Sequence, residues 1–119
     1  MPPRILIVDD EPSVRFGMCD FLESAGYEIE QADSVQTARD ALRAVRPDVA
    51  IVDYRLPDGN ALDLLRDVRQ NDSAAVPLIV LTAHGSIDLA VQAVKEGAEH
   101  FLTKPVDISD LQKLFCEQP

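Results

Sequence analysis

Val49-Ala50-Ile51-Val52-Asp53 decides the reading of this chain. Four consecutive aliphatic residues, without the polar alternation of a strand wetted on one side, describe a strand buried on both faces. The run then ends in a carboxylate. Three other runs have the same form: Ile5-Leu6-Ile7-Val8 leads into Asp9 and Asp10, Leu78-Ile79-Val80-Leu81 into Thr82, and Phe101-Leu102 through Thr103 into Lys104 and Pro105. As parallel strands of one sheet, these runs bring their polar ends to a single edge. That edge carries three carboxylates, a hydroxyl and an ammonium, a set suited to a divalent cation and a phosphoryl group.

Helical periodicity fills the intervals between the runs. Val14, Gly17, Met18, Phe21, Leu22 and Ala25 fall on one stripe, with Pro12 in the first turn and Gly26 at the C-terminal end. A short strand follows at Glu28–Ala32. Ser34 is placed to cap a second helix with Val35, Ala38, Ala41, Leu42 and Val45 inward, and Pro47 ends it. Residues 54–59 form a loop whose Leu56-Pro57-Asp58-Gly59 is a turn sequence. The third helix turns Ala61, Leu64, Leu65 and Val68 inward, and Pro77 opens the fourth strand. The fourth helix, about residues 86–96, is read with Ile87, Ala90, Val91 and Val94 inward and Leu89 and Ala93 off that stripe; Gly97 ends it. The fifth strand is expected near residues 100–103. A last helix, about residues 108–117, would bury Ile108, Leu111, Leu114 and Phe115. Five βα units predict an α/β fold: a doubly wound (βα)5 domain with a five-stranded parallel sheet and right-handed crossovers.

At 119 residues the chain is one domain, spanning 1–119. Its hydrophobic fraction of 46% is that of a globular protein. With 21 acidic and 11 basic residues the formal net charge is −10, a surface that repels phosphate backbones, so no nucleic acid is expected to bind this domain itself. No apolar run reaches the roughly 18 residues of a membrane span. The start, Met1-Pro2-Pro3-Arg4, is unlike a signal peptide. Both point to a cytoplasmic protein without a membrane partner. Cys19 and Cys116 lie outside any CxxC or Cys/His cluster and read as free thiols. The last helix runs straight into Gln118-Pro119, as in a domain cut from a longer chain.

The carboxylates set the chemistry. Two of them roughly 4 Å apart repel by about 4 kcal/mol at an effective dielectric of about 20, so Asp9, Asp10 and Asp53 together call for a cation or a proton. Hard oxygen ligands without His or Cys favour Mg2+. Taken singly, each residue has a plainer reading. Asp10 or Glu11 can cap the first helix, Lys104 can form a surface ion pair, and Thr82 is an ordinary strand residue. Pro105 adds that the Lys104–Pro105 bond is one that adopts the cis form cheaply, which would set where the lysine points.

The set Asp9-Asp10, Asp53, Thr82 and Lys104-Pro105, in this order and at these strand ends, resembles the receiver domain of two-component response regulators (CheY-like). The resemblance covers essentially the whole chain, and it implies the flavodoxin-like strand order 2-1-3-4-5. It also implies roles. Asp53 would be the phosphoacceptor, taking a phosphoryl group from a sensor histidine kinase. Asp10, Asp53 and the backbone carbonyl of Arg55 would bind Mg2+, with Asp9 acting through a water. Thr82 and Lys104 would hold the phosphoryl oxygens. Thr82 and Phe101 would be the switch residues, Phe101 standing where receivers often carry a tyrosine and therefore offering no hydroxyl. Arg55 and His84 would tune access of water to the acyl phosphate.

Thr82-Ala83-His84-Gly85-Ser86, Ala90-Val91-Gln92-Ala93 and Lys95-Glu96-Gly97-Ala98 further resemble the NtrC-like group. That likeness implies an output ATPase and/or helix-turn-helix in a longer parent controlling transcription. A face made of the fourth helix, fifth strand and fifth helix would meet partners, including a second copy, through Leu89 and Ala93. A stand-alone receiver in a phosphorelay is the alternative. Two other classes are set against these. A flavodoxin-like cofactor binder would want a Gly/Ser/Thr-rich phosphate loop where Asp9-Asp10-Glu11-Pro12 stands. A Mg2+-dependent phosphohydrolase would want a general base that the sequence does not offer.

Overall fold

A computed structural model describes residues 3–70, 76–83 and 87–104. β1 (Arg4–Val8) leads to α1 (Pro12–Ser24), β2 (Glu28–Ala32) to α2 (Val35–Val45), and β3 (Val49–Asp53) to α3 (Ala61–Gln70). β4 (Leu78–Thr82) leads to α4 (Ile87–Lys95), and β5 (His100–Thr103) follows. The five strands pair in parallel in the order β2-β1-β3-β4-β5, the expected topology. The helix expected at about 108–117 lies outside the described residues.

Side chains alternate across the strands, and both sets are buried. Leu6, Val8, Ala50 and Val52 pack with Val35, Ala38 and Leu42 of α2 and Leu64 of α3. Ile5, Ile7, Val49 and Ile51 pack on the opposite face with Cys19 and Leu22 of α1. Each buried Val, Leu or Ile side chain among these contributes about 1.5–3 kcal/mol. The strands are thereby fixed in register, and their C-terminal ends form a rigid rim.

The helix ends follow their sequence signals. Ser34 accepts from the Thr37 amide, and the Thr37 hydroxyl accepts from the Ser34 amide, a capping box at the start of α2. Gly26 and Gly97 take positive φ just after α1 and α4. Between β3 and α3, Arg55–Leu56 pairs antiparallel with Gly59–Asn60, a two-residue ladder with Pro57 and Asp58 at its tip.

Two helical faces differ from the sequence reading. In α1, Gly17 and Ala25 are exposed, and the inward centre is Cys19 and Leu22, with Val14, Met18 and Phe21 half-buried. In α4, Val91 (47% exposed) and Val94 (60%) face outward while Ala93 is fully buried and Leu89 and Ala90 are half-buried. Leu89 and Ala93 are therefore not the outward patch. The helix is short and almost wholly apolar on two sides, so the period of 3.6 fits either stripe. Packing chooses the one through Ala93, which is buried in the same core cluster as Ala98; the Ala98 amide donates to the Ala93 carbonyl at 2.9 Å and closes the C-terminal end of the helix over Gly97.

Candidate functional site

The sheet register places the loaded residues. Val8 pairs with Val52, so Asp9 and Asp53, each one residue further on, stand side by side. Asp53 pairs with Leu81, and Thr82 with Thr103, which puts Lys104 just past the end of β5. The Lys104 amide donates to the Thr82 carbonyl at 2.7 Å, carrying the β4–β5 pairing one step beyond the strands.

One carboxylate oxygen from each of Asp9, Asp10 and Asp53 lies within 4.8 Å of the others. Asp9 is fully buried, the Asp53 side chain is 12% exposed, and Asp10 faces solvent. The Lys104 ammonium bridges the two inner acids, at 2.9 Å from Asp9 Oδ2 and 3.3 Å from Asp53 Oδ1. Asp9 Oδ1 accepts from the Glu11 amide at 2.9 Å. Its carbonyl accepts from Arg15 Nη1 at 2.7 Å, and Arg15 Nε donates to Gln31 at 3.0 Å. Glu11, at the N-cap of α1, makes no side-chain capping bond, which removes the plainer reading of that residue.

Burial, with the charges of Asp9 and Asp10, pushes the Asp53 carboxyl above the ordinary carboxylate range despite the opposing pull of Lys104. Burial of Lys104 disfavours its charged form, but its contacts with Asp9 and Asp53 win and raise its pKa. Three carboxylates against one ammonium leave two negative charges at a cluster of hard oxygens. That is the complement of a divalent cation, and the residues fit Mg2+ on charge and ligand type.

The structure thus brings together Asp9, Asp10, Asp53 and Lys104, with Thr82 buried on the same rim. Arg55 is exposed at the start of the two-residue ladder, and Phe101 is half-buried against the core. His84 and Pro105, and with it the geometry of the Lys104–Pro105 bond, lie outside the described residues. Two residues were not singled out from sequence. Arg15 grips the Asp9 carbonyl, and Asp58 ties the ladder tip to α2, accepting from the Val35 and Gln36 amides at 2.7 and 3.0 Å. The Asp58 bonds leave no local signature, because they join a side chain to backbone in another element, and Arg15 reaches back six residues to the turn before its own helix.

The family model for the response regulator receiver domain matches residues 5–115. Response regulator protein PilR of Pseudomonas aeruginosa is 41% identical over 111 residues, covering 93% of this chain and 25% of PilR. The chain thus spans about a quarter of that relative's length. A response regulator receiver protein from Pseudomonas putida superposes with a TM-score of 0.92 at 32% identity, covering 99% of this chain and 98% of that one. The beryllofluoride-activated NtrC4 receiver domain dimer gives 0.88 at 32% identity, covering 95% and 93%. No helix among the described residues is long and apolar enough to cross a membrane.

Proposed function

The chain belongs to the response regulator receiver domain family, and from that premise we propose that Asp53 accepts a phosphoryl group from a sensor histidine kinase and that the acyl phosphate switches an output. The observation that carries this reading is the Lys104 ammonium held between Asp9 and Asp53 beside the exposed carboxylate of Asp10.

An Asp53 carboxylate oxygen attacks the phosphorus of a phosphohistidine. The new P–O bond forms as the P–N bond breaks, and the bonding pair leaves on the imidazole nitrogen. Mg2+ held by Asp10, Asp53 and the Arg55 backbone carbonyl, with Asp9 acting through a water, would neutralise charge on the transferred group. Lys104, already 3.3 Å from Asp53, is positioned to turn from the carboxylate to a phosphoryl oxygen. The Thr82 hydroxyl donates to another. Arg55 and His84 then govern how water reaches the acyl phosphate.

Phosphorylation adds about −1.5 to −2 charge units at this rim. Reversing a 1:99 conformational balance takes about 5.5 kcal/mol, within reach of a few charge-assisted hydrogen bonds in a partly dry site. The response passes through Thr82 and β5 to α4. Phe101 contributes by packing alone. The outward face of α4, carrying Val91 and Val94, is then the surface that meets a second copy or an output domain. An ATPase and/or helix-turn-helix in a longer parent, acting on transcription, accords with the extra length of PilR.

The test is incubation with acetyl phosphate and Mg2+ followed by intact mass. A single phosphate adduct is expected, absent in Asp53→Asn. A wild-type chain that takes neither this adduct nor beryllofluoride overturns the reading. Turnover of a generic phosphate ester far beyond one equivalent would favour a phosphohydrolase instead.

A further inference from the structure

The segment from Asp53 to Ala61 is fixed at its base and at its tip by different parts of the molecule. At the base, the Tyr54 amide donates to Leu81 of β4 at 2.6 Å, and the Ala61 amide donates to the Tyr54 carbonyl at 2.9 Å. The return strand is held to α3, where the Asn60 amide donates to Asp63 Oδ2 at 3.0 Å. The tip is held to α2. Both oxygens of Asp58 accept backbone amides from the first turn of that helix, Val35 at 2.7 Å and Gln36 at 3.0 Å. These bonds hold the Asp58 carboxyl below the ordinary range, the Val35 amide first among their causes. Ser34 already caps the same helix from within, through Thr37. Asp58 therefore adds a second cap to α2, and it comes from the loop that begins at the phosphoacceptor.

We propose that Asp58 is a positioning residue for the site: by clamping the ladder tip onto the N-terminus of α2, it sets the path of the Arg55 backbone beside the carboxylate cluster and so sets affinity for the divalent cation. The inference rests on the reading of Asp53 as phosphoacceptor with a bound cation. Arg55 pairs with Asn60, and Leu56 with Gly59, so the ladder moves as one unit. Freed at the tip, it pivots about the base bonds of Tyr54 and Asn60, and the Arg55 carbonyl moves with it. Removing a partner that orients a ligand from outside the coordination sphere costs 10-fold or more in metal affinity as a rule of thumb.

The experiment is a Mg2+ titration of the 119-residue chain followed by amide NMR shifts, with Mg2+ as the only added ligand, on wild type, Asp58→Ala, Asp58→Asn and Ser34→Ala. Thermal melts of each are recorded in parallel. Ser34→Ala is the control, because it uncaps the same helix without touching the loop. The expected result is Mg2+ affinity weakened roughly tenfold in Asp58→Ala, a smaller loss in Asp58→Asn, which keeps one acceptor, and wild-type affinity in Ser34→Ala. Equal affinity in wild type and Asp58→Ala overturns the proposal. So does an equal loss in Ser34→Ala, which would make the effect one of helix stability. If Asp58→Ala does not fold, Asp58→Asn decides between the same outcomes. A wild-type chain that binds no Mg2+ removes the parent reading and the proposal with it, and that result is distinct from a failure confined to the Asp58 variants.

Discussion

Lys104 Nζ lies 2.9 Å from Asp9 Oδ2, an ion pair between residues 95 positions apart whose acidic partner is fully buried. The ammonium on one oxygen and the Glu11 amide on the other make burial of Asp9 tolerable. Lys104→Met should therefore destabilise the chain by about 3 kcal/mol, the cost of leaving a buried charge unpaired. The same substitution deepens the negative charge of the cluster and removes a competitor for its oxygens, so Mg2+ should bind more tightly and restore much of the lost stability. Denaturant melts of both forms with and without Mg2+ check this. A loss of stability that Mg2+ leaves untouched would refute it.

The raised pKa of Asp53 predicts a pH dependence of definite sign. Its folded value lies above its unfolded one, first through burial and then through Asp9 and Asp10. Between the ordinary carboxylate value and the raised one, the folded state holds more protons, so stability falls as pH rises through that window. Above it the full penalty remains. Asp53→Asn carries no such penalty. Without divalent cations it should melt a few degrees above wild type near neutral pH, and the gap should close as pH falls to about 4. Melts across that range decide it; a gap that widens toward acid would sink the assignment.

The strands and the rim were legible because Ile5–Val8, Val49–Val52 and Leu78–Leu81 must be buried on both faces, and a parallel sheet then aligns Asp9, Asp53 and Thr82 whatever covers it. The faces of α4 were not legible, since the stripe through Val91 and Val94 and the one through Ala93 satisfy the same period. Arg15 and Asp58 escaped for another reason. Each is an ordinary polar residue in sequence: Asp58 meets helix amides more than twenty residues away that only the fold brings near, and Arg15 reaches back across the turn before α1 to a carbonyl that no sequence pattern marks.

That reversal of α4 is itself open to test. Val94→Asp replaces an exposed side chain and should change stability by no more than about 0.5 kcal/mol. Ala93→Asp buries a carboxylate against the core and should cost several times as much. If the outward face also carries the contact between copies, Val94→Asp should weaken beryllofluoride-dependent self-association measured by analytical ultracentrifugation. Comparable destabilisation by the two substitutions would contradict the observed packing.

Gly59 offers a sharper steric test of the loop that runs from Asp53 to α3. It sits at φ +156°, and a Cβ there would lie 2.6 Å from Asp63 Oδ2 and 3.2 Å from Val35 Cγ2. Asp63 cannot swing away without releasing the Asn60 amide it accepts at 3.0 Å, and Val35 is fixed in the core beside the Asp58 clamp. Gly59→Ala should therefore cost about 1–3 kcal/mol and weaken Mg2+ binding as well. Gly17 is the opposite case, an exposed mid-helix glycine with nothing within 4 Å of an added Cβ. There alanine should add roughly 0.5–1 kcal/mol through helix propensity and leave the site unchanged. Urea melts and Mg2+ titrations of the two variants should move in opposite directions for stability, and only Gly59→Ala should alter the cation affinity.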